Sequence, residues 1–376
     1  RVRRKRCIYR LTRWHRKKIM SPKNRLNKLH QKLAEKEVDA FFISQPENRY
    51  YLSGFDGSDG FLLITPQNVI LATDFRYTEQ SKKQAPDYEI FQITNNIADW
   101  FPRLVAEFNL KRLGFEAGHI TFALYQQLTD ALNKAKSRLE LVSIDRLAES
   151  LRAIKEPEEI ELITEASAIT DSAFEYIEDI IHIGMSEKKA AWEIEKFIRE
   201  KSGQAIAFDF IVASGPNSAL PHAQPSEYAI RSGEPIVIDI GARIEGYCSD
   251  LSRTICLGSH DDAFNKVYDT VLSAQLAAIA TVKVGMTGEE ADNLARKVIK
   301  QAGYGEAFGH GLGHGVGLAI HELPRLGPNS KEQLVNGMVF TIEPGIYLTG
   351  WGGVRIEDTV AMESGKIRVI SKARKI

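Results

Sequence analysis

The sequence predicts an α+β protein in which a smaller α/β domain precedes a larger domain built on antiparallel strands. Two observations lead to this prediction. At 376 residues, the chain is longer than a single hydrophobic core usually serves. Helical and strand-like patterns alternate at first, and near residue 150 they give way to long helices and paired strands. We therefore expect a basic, disordered extension over 1–19, one domain over 20–150 and a second over 151–376.

The first domain shows the alternation expected of a sheet covered by helices. Apolar residues recur at helical spacing in NRLNKLHQKLAEKEV, and FALYQQLTDALNKAK continues the helical segments. DAFFISQ, GFLLIT and NVILATD are short apolar runs bounded by turn-forming residues, which is typical of buried strands. The runs RLGFE and LELVSI extend the pattern, so we predict an α/β domain.

The second domain is predicted to open on a long amphipathic helix. The helical pattern covers IDRLAESLRAIKEPEEIELITEASAITDSAFEYIEDII, in which Pro157 and the two glutamates after it suit a first helical turn. A further helix, the strand FDFIVASG and a hairpin from Glu234 to Leu257 follow. Two more helices, a Gly/His-rich loop and strands around MVFTIEPGIYL and GVRIEDTVAM complete an α+β order.

Composition indicates a globular protein and limits its partners. The chain is 43% hydrophobic and 26% charged, and it contains no apolar run long enough to span a membrane. Residues 1–20 carry ten Lys or Arg and no acid, which leaves a net charge of about −10 on the remainder. An acidic body argues against nucleic acid as the main partner. We interpret the basic segment as an extension ahead of a start at Met20, with a basic arm for an anionic surface as the alternative.

The three cysteines do not form a disulfide framework. Cys248 and Cys256 lie on the predicted hairpin, and Cys7 lies in the basic segment. We expect free thiols in a cytoplasmic protein rather than a disulfide or a thiolate metal site.

Four acidic residues in strand-like runs are predicted to meet in two pairs. Asp239 sits inside the apolar run EPIVIDIGA, where an unpaired carboxylate is unfavourable to bury. Asp250 lies eleven residues further on, past a turn at Glu245, so a hairpin would bring both acids to neighbouring strands. Glu343 and Glu357 repeat this arrangement, each after a β-branched run.

This clustering of acids favours a metal site. Four carboxylates repel one another, and four separate salt bridges would need four bases, whereas only Arg243 and Arg355 lie close by in sequence. With His314, the set offers oxygen ligands and one nitrogen, which suits Mn²⁺, Co²⁺, Fe²⁺ or Zn²⁺. Four anionic ligands could balance two divalent ions, a known arrangement for activating water.

Histidines and glycines surround the predicted metal site. His310, His314 and His321 lie in FGHGLGHGVGLAIHE, whose glycines allow close approach of backbone and imidazoles, and His222 lies in a separate loop. The segment lacks the GK[ST] ending of a nucleotide loop, and the chain has no G-x-S-x-G motif of a serine hydrolase.

On these segments the chain resembles the pita-bread metallopeptidases, in the branch of Xaa-Pro dipeptidases (prolidases) and aminopeptidase P. HGLGHGVGLAIHE fits the proline-peptidase signature, and DIGARIEGYCSD, EPGIY and RIED match the other ligand segments. The first domain resembles the creatinase-type N-terminal domain of the same branch. The resemblance implies a C-terminal pita-bread catalytic domain behind a smaller creatinase-type α/β domain.

The resemblance also implies a role for each site residue. Asp239 would bind one metal ion, Asp250 and Glu357 would bridge two, and His314 and Glu343 would complete the second site. Glu343 also resembles the general base. His222 and His321 resemble residues that bind substrate and stabilise the tetrahedral intermediate. His310 and Arg355 resemble outer residues that surround the site.

The implied activity is hydrolysis of the Xaa-Pro bond by a metal-activated water, at the N-terminus of peptides or in Xaa-Pro dipeptides. Two divalent ions are expected, with Mn²⁺ first and Co²⁺, Zn²⁺ or Fe²⁺ as alternatives. Proline-containing peptides are the expected partners, in a homodimer that engages neither nucleic acid nor membrane. A peptide-binding pseudoenzyme and a metal-dependent amidohydrolase on a non-peptide substrate are the alternatives, and dipeptidase against aminopeptidase stays open.

Overall fold

The computed structural model describes residues 22–94, 96–202 and 205–375. The predictions for the basic segment 1–19 and for Cys7 therefore lie outside the described residues.

The N-terminal part is a six-stranded mixed sheet with helices on it, as the alternating pattern predicts. The strand order is β4-β3-β2-β1-β5-β6. β1 pairs parallel with β5 and antiparallel with β2. The strands are β1 (Ala40–Ile43), β2 (Phe61–Ile64), β3 (Val69–Thr73), β4 (Glu89–Gln92), β5 (Arg112–Glu116) and β6 (Glu140–Ile144). The helices are α1 (Pro22–Glu35), α2 (Pro46–Ser53), α3 (Thr78–Gln84), α4 (Ile97–Ala106) and α5 (Phe122–Lys134).

Both faces of this sheet are buried around β1, β2 and β3, which explains why these strands consist almost entirely of apolar residues. Ala40 and Phe42 join the cluster around Trp100 on α4. Phe41 faces the other way and packs with Leu29 of α1. The second cluster also contains Leu318, Val339 and Ala361 from the C-terminal part, so this face carries the contact between the two halves of the chain.

The long helix predicted at the junction is interrupted. It forms a short helix, α6 (Leu147–Arg152), and then a 24-residue helix, α7 (Pro157–Ile180). The break falls before Pro157 because proline lacks an N–H and fits the first helical position, as predicted for this residue. Glu159 closes the helix start by accepting the Glu156 N–H at 2.9 Å.

The C-terminal part contains two antiparallel sheets and two short ribbons. The sheets have the orders β11-β8-β7 and β13-β12-β14-β17-β18, and the ribbons pair β9 with β10 and β15 with β16. The first strands are β7 (Ile211–Ser214), β8 (Pro235–Ile240), β9 (Arg243–Ile244), β10 (Tyr247–Cys248), β11 (Leu251–Cys256), β12 (Gly313–Gly315) and β13 (Glu322–Leu326). The others are β14 (Val339–Ile342), β15 (Gly345–Leu348), β16 (Gly352–Arg355), β17 (Asp358–Glu363) and β18 (Lys366–Val369).

The prediction of a loop for the Gly/His-rich segment is wrong at β12. β12 lies between β13 and β14, and a Cβ on Gly313 would stand 2.1 Å from the Thr341 carbonyl oxygen. Glycine is therefore required for this close approach of strands. The same glycines hide the strand from a pattern that relies on β-branched and aromatic residues.

Helices pack on the outer faces of these two sheets. The helices are α8 (Glu187–Ser202), α9 (Asp262–Thr281) and α10 (Gly288–Gln301). α7 and α8 pack on β8 through a cluster that contains Phe174 and Ile238. α9 and α10 pack on β14 through a cluster that contains Val271 and Phe340.

Two further predictions concern membrane spans and thiols. Among the helices of the described residues, none combines the length and apolar character that crossing a bilayer requires. Cys248 is buried and Cys256 partly exposed, and both are free thiols, which confirms the prediction for these two.

Candidate metal centre and active site

Strand alternation places Asp239 on the inner face of its sheet. Ile238 and Ile240 on β8 are fully buried against the helices, so Asp239 between them faces the other side. Its side chain is 13% exposed, and Arg355 Nη2 donates to Asp239 Oδ2 at 2.6 Å. The apolar run thus carries one acid into the interior of the protein.

The hairpin brings Asp250 next to Asp239, as predicted. β8 and β11 pair antiparallel, with Ser252 opposite Asp239 and Leu251 opposite Ile240. Asp250 immediately precedes β11 and is 5% exposed. Burial first, and then the charges of Glu357 and Asp239, hold the pKa of Asp250 well above its ordinary value.

Glu343 and Glu357 form the second acidic pair. Ile342 at the end of β14 lies opposite Asp358 at the start of β17, so the two glutamates flank this pair. The β15–β16 ribbon occupies the chain between them. Their strands are therefore neighbours, as predicted.

His314 lies between the two acidic pairs. Its Nε2 is 3.2 Å from Glu343 Oε1 and 3.6 Å from Asp250 Oδ2. Burial alone would lower the pKa of His314, but the hydrogen bond and charge of Glu343 outweigh it and raise this pKa. Burial of Glu343 is likewise outweighed by His314, so the pKa of Glu343 is about 2. Without a metal ion, these two residues form an ion pair.

The remaining carboxylate oxygens fit a metal site. Ligand atoms of Asp250, His314 and Glu357 all lie within 4.8 Å of one another. Within the described residues, neither buried oxygen of Glu357 accepts a hydrogen bond at normal geometry, although the Ser252 hydroxyl lies near enough to lower the pKa of Glu357 in part, and Asp239 Oδ1 is also unpartnered. Burial, followed by the charges of Glu343 and Asp239, raises the pKa of Glu357 well above its ordinary value. Buried carboxylates without donors are unfavourable, and a divalent cation would satisfy them.

Separate salt bridges do not account for the four acids. Arg355 pairs with Asp239, whereas Arg243 Nη2 donates to the Ala207 carbonyl oxygen at 3.3 Å. Arg253 is buried nearby, but it pairs with Asp358 and donates to the backbone carbonyl of Glu357. These arginines therefore leave the carboxylate of Glu357 unneutralised.

A hydrogen-bonded chain supports the site from the Asp239 side. Arg355 Nη1 donates to the Tyr347 hydroxyl at 2.8 Å, and His310 Nε2 lies 3.0 Å from the same oxygen. Arg355 Nε donates to Ser252 Oγ at 2.8 Å. Burial lowers the pKa of His310, which favours the neutral ring. Sequence reasoning identified His310 and Arg355 but missed Tyr347 and Ser252, because no spacing distinguishes them from other strand residues.

The other two predicted histidines lie at the exposed side of the site. The His321 ring stands edge-on to the His314 ring, with 4.2 Å between centroids. Burial, His314 and His222 each lower the pKa of His321. His222 is exposed, in the loop after a short 3-10 turn (Gly215–Ala219), and its charge also lowers the pKa of His310. The structure therefore places His321 against His314, whereas His222 lies near enough to His310 and His321 to lower their pKa values.

Two parts of the chain match known protein families. Residues 161–364 match the metallopeptidase family M24, and residues 25–154 match the creatinase/prolidase N-terminal domain. The match defines a peptidase that depends on divalent metal ions, with Asp250, His314 and Glu357 as a group able to hold one. The chain belongs to metallopeptidase family M24, which confirms the predicted pita-bread and creatinase-type fold.

Named relatives and solved structures are similar to this protein over nearly the whole chain. It is 38% identical to the Xaa-Pro dipeptidase of Pyrococcus furiosus, over 94% of this chain and 99% of that protein. The Xaa-Pro dipeptidase from Bacillus anthracis has a similar structure, with 41% identity, a TM-score of 0.91 and coverage of 95% and 99%. The X-Pro aminopeptidase from Thermotoga maritima is similar too, with 35% identity, a TM-score of 0.83 and coverage of 93% and 99%.

Proposed function

We propose that this protein is a dinuclear metal-dependent exopeptidase that hydrolyses the Xaa-Pro bond, at the N-terminus of peptides or in Xaa-Pro dipeptides. One observation carries the proposal: the two buried oxygens of Glu357, which have no hydrogen bond of normal geometry, lie beside the Asp250 and His314 ligand atoms. Such a group calls for cations, and the named relatives are Xaa-Pro dipeptidases.

The metal ligands of the proposal are the five residues at the base of the site. Asp239 would hold one ion, His314 and Glu343 would hold the other, and Asp250 and Glu357 would contribute to both. Mn²⁺ is the first candidate, with Co²⁺, Zn²⁺ or Fe²⁺ as alternatives, because the donors are oxygens with one imidazole. Divalent ions bound here would lower the pKa of a water toward ~7 and polarise the scissile carbonyl.

Glu343 is the proposed general base. A carboxylate with an ordinary pKa is ionised at neutral pH, so an oxygen of Glu343 can accept a proton from the attacking water. The same oxygen can then pass this proton to the proline nitrogen. A tertiary amide requires this step because its leaving nitrogen must be protonated before it departs.

His222 and His321 are the proposed substrate-binding residues. The lowered pKa of His321 favours a neutral ring at physiological pH, and a neutral ring still carries one N–H donor. That N–H can donate to the carbonyl oxygen of the scissile bond as negative charge develops on it. His222 lies in a different loop, near enough to His321 to lower its pKa, and in this proposal it binds another part of the peptide.

The assembly, location and domain limits belong to the same proposal. We place the enzyme in the cytoplasm as a homodimer, with domains over 20–150 and 151–376. The relatives support a peptidase over a pseudoenzyme or an amidohydrolase on other substrates. They bear both dipeptidase and aminopeptidase names, so the preferred peptide length needs measurement.

A substrate panel tests the proposed activity. The protein is stripped with a chelator, re-supplied with Mn²⁺, Co²⁺ or Zn²⁺, and assayed with Ala-Pro, Ala-Pro-Ala and Ala-Ala. We expect metal-dependent cleavage of the proline peptides and none of Ala-Ala. The ratio of Ala-Pro to Ala-Pro-Ala cleavage then separates dipeptidase from aminopeptidase. Absence of cleavage by protein that has bound two ions would refute the proposal.

A further inference from the structure

A buried ion cluster lies at the junction of the two halves of the chain, outside the metal centre. Arg152 at the end of α6 and Lys155 before α7 both pair with Glu322. The Lys155 Nζ to Glu322 Oε1 distance is 2.7 Å, and Arg152 Nη2 donates to Glu322 Oε2. Exposure is 2% for the Arg152 side chain, 1% for Lys155 and 4% for Glu322.

Arg152 also connects this cluster to the N-terminal sheet. Its Nη1 donates to Asn48 Oδ1 at 2.8 Å, and Asn48 Nδ2 donates to Glu116 Oε1 at 2.7 Å. Glu116 ends β5 and also accepts the Ser44 N–H at 2.7 Å. A continuous path of buried hydrogen bonds therefore leads from the N-terminal sheet to Glu322.

The other end of the path reaches a proposed catalytic histidine. Glu322 follows His321 directly, and its carboxylate lies within the turn that precedes this histidine. A Cβ on Gly317 would stand 2.2 Å from Glu322 Oε1, and the Ala319 N–H points to Glu322 Oε2 at 3.4 Å. Since His321 is itself exposed, its position depends on the backbone that is folded around Glu322.

The chemistry of arginine suits this task. A planar guanidinium can bind Asn48 through one nitrogen and Glu322 through another, which fixes both in one plane. Burial of the Glu322 carboxylate is outweighed by Lys155 and Arg152, which lower its pKa and keep it charged. Loss of Arg152 would leave Glu322 paired with Lys155 but would remove the donor to its Oε2 and the link to Asn48, so the turn around Glu322 would no longer be fixed to the N-terminal sheet.

We propose that Arg152 and Glu322 are positioning residues, through which the N-terminal domain sets the place of His321 for hydrolysis. This inference rests on the proposed function, because it requires His321 to act on the substrate. A displacement of about 1 Å in a reacting geometry can lower a rate ~100-fold. The cluster would therefore govern turnover without touching substrate or metal.

A double-mutant cycle in the full-length, Mn²⁺-loaded protein tests the inference. Arg152→Met, His321→Ala and the double variant are compared by kcat and KM on Ala-Pro, with metal content measured for each. We expect Arg152→Met to lower kcat roughly 10-fold to 100-fold at unchanged metal content. In the His321→Ala background, the same change should alter kcat by less than about 3-fold. Multiplicative losses would overturn the inference.

A matched control variant separates a loss of stability at the domain junction from a loss of turnover. Arg25 is 3% exposed and pairs with Glu156 and Glu159 across the same junction, but its partners do not adjoin His321. Arg25→Met should lower the melting temperature as Arg152→Met does and leave kcat within about 2-fold. An equal fall in kcat in both variants would make the cluster a stability feature and overturn the inference.

Two milder variants cover the case in which Arg152→Met fails to fold. Arg152→Lys keeps a charge for Glu322 but cannot also bind Asn48, so kcat should lie between wild type and Arg152→Met. Asn48→Leu should lower kcat several-fold in protein that retains His321, and it should have little effect in the His321→Ala background. A kcat equal to that of wild type in both Arg152→Lys and Asn48→Leu would contradict the inference. Wild-type protein that fails to cleave Ala-Pro would instead refute the proposed function.

Discussion

Arg355 Nη2 lies 2.6 Å from Asp239 Oδ2, and this ion pair joins the sheet of β8 to the β15–β16 ribbon that connects Glu343 with Glu357. Asp239 belongs to β8, whereas Arg355 ends β16 and stands two residues before Glu357. Arg355 is buried, and its charged neighbours raise its pKa well above the ordinary value. The guanidinium therefore stays charged and holds one Asp239 oxygen, which leaves Oδ1 available to a metal ion.

Replacement of this arginine should weaken the metal centre. Arg355→Lys removes the contacts to Ser252 and Tyr347, because lysine lacks the planar fork of donors. We expect kcat/KM and metal affinity to fall about 10-fold to 100-fold, which is typical for groups that orient ligands. Isothermal titration with Mn²⁺ and kinetics on Ala-Pro measure both.

Arg368→Lys is the matched control. This residue forms a surface pair with Glu363 at 2.8 Å and is 42% exposed. It should keep the affinity and rate of wild type. Unchanged metal affinity in Arg355→Lys would show that Asp239 does not depend on the arginine.

Removal of Glu343 should abolish turnover. Glu343→Ala deletes a proposed ligand and the proposed proton acceptor, and general base catalysis alone is worth roughly 10²–10⁴-fold. We also expect weaker binding of the second metal ion. Single-turnover assays at saturating Mn²⁺ measure the residual rate, and a rate near wild type would overturn the assignment of this residue.

Metal removal should have a pH-dependent effect on stability. Asp250 and Glu357 have pKa values well above their usual 3.8 and 4.5 when no metal is bound. Their ionisation is thus less favourable in the folded chain than in the unfolded chain, which destabilises the fold. This destabilisation is absent below the usual pKa values and grows as pH rises from these values through the raised pKa values of the folded chain. Glu343 works oppositely, because its pKa of about 2 contributes stability above 4.5 that is lost as pH falls toward 2.

Thermal melts of chelated protein measure this effect. An Asp250→Asn, Glu357→Gln double variant lacks the penalty, so its melting temperature should exceed that of chelated wild type near pH 8. The difference should shrink as pH falls toward about 5. Mn²⁺ should raise the melting temperature of wild type but not of the variant. A pH-independent difference would mean that the two carboxylates are not repelled in the metal-free protein.

The loop that carries His222 depends on one buried carboxylate. Glu187 begins α8, is fully buried, and accepts the Ser214 and Ser226 N–H groups at 2.7 and 3.0 Å. Asn217 Nδ2 donates to it at 3.1 Å. The carboxylate of Glu187 therefore holds both ends of the loop that carries His222.

Glu187→Gln should loosen this loop without disturbing the metal ligands. A hydrogen bond to a charged group contributes about 1.5–3 kcal/mol, so we expect lower stability and a KM raised several-fold at unchanged metal content. Glu195→Gln is the control, because Glu195 lies on the same helix in a surface pair with Arg199. An unchanged KM in Glu187→Gln would show that His222 does not need this support.

Sequence patterns predicted the features that depend on local rules. The apolar runs of the first sheet, the proline at the start of α7 and the pairing of the Asp239 and Asp250 strands follow from periodicity and turn chemistry. The acids stood out because carboxylates are unfavourable inside apolar strands. Their convergence with His314 was expected from the family resemblance and is visible in the structure.

Features that depend on distant partners could not be read from the sequence. Arg355 and Asp239 are 116 residues apart, and Arg152 and Glu322 are 170 apart. No local spacing identifies either pair, and Tyr347 becomes notable only because Arg355 and His310 meet at its hydroxyl. The strand β12 was missed because its glycines serve close packing against Thr341 and Leu323 rather than strand propensity.

Anomalous diffraction from crystals of the Mn²⁺-loaded protein can locate the metal ions and the residues that bind them. We expect two manganese peaks, roughly 3.5–4 Å apart as in other paired sites, among Asp239, Asp250, His314, Glu343 and Glu357. The carboxylate of Glu357 should contact both ions. A single peak, or ions bound outside these five residues, would contradict the claim that they form one dinuclear centre.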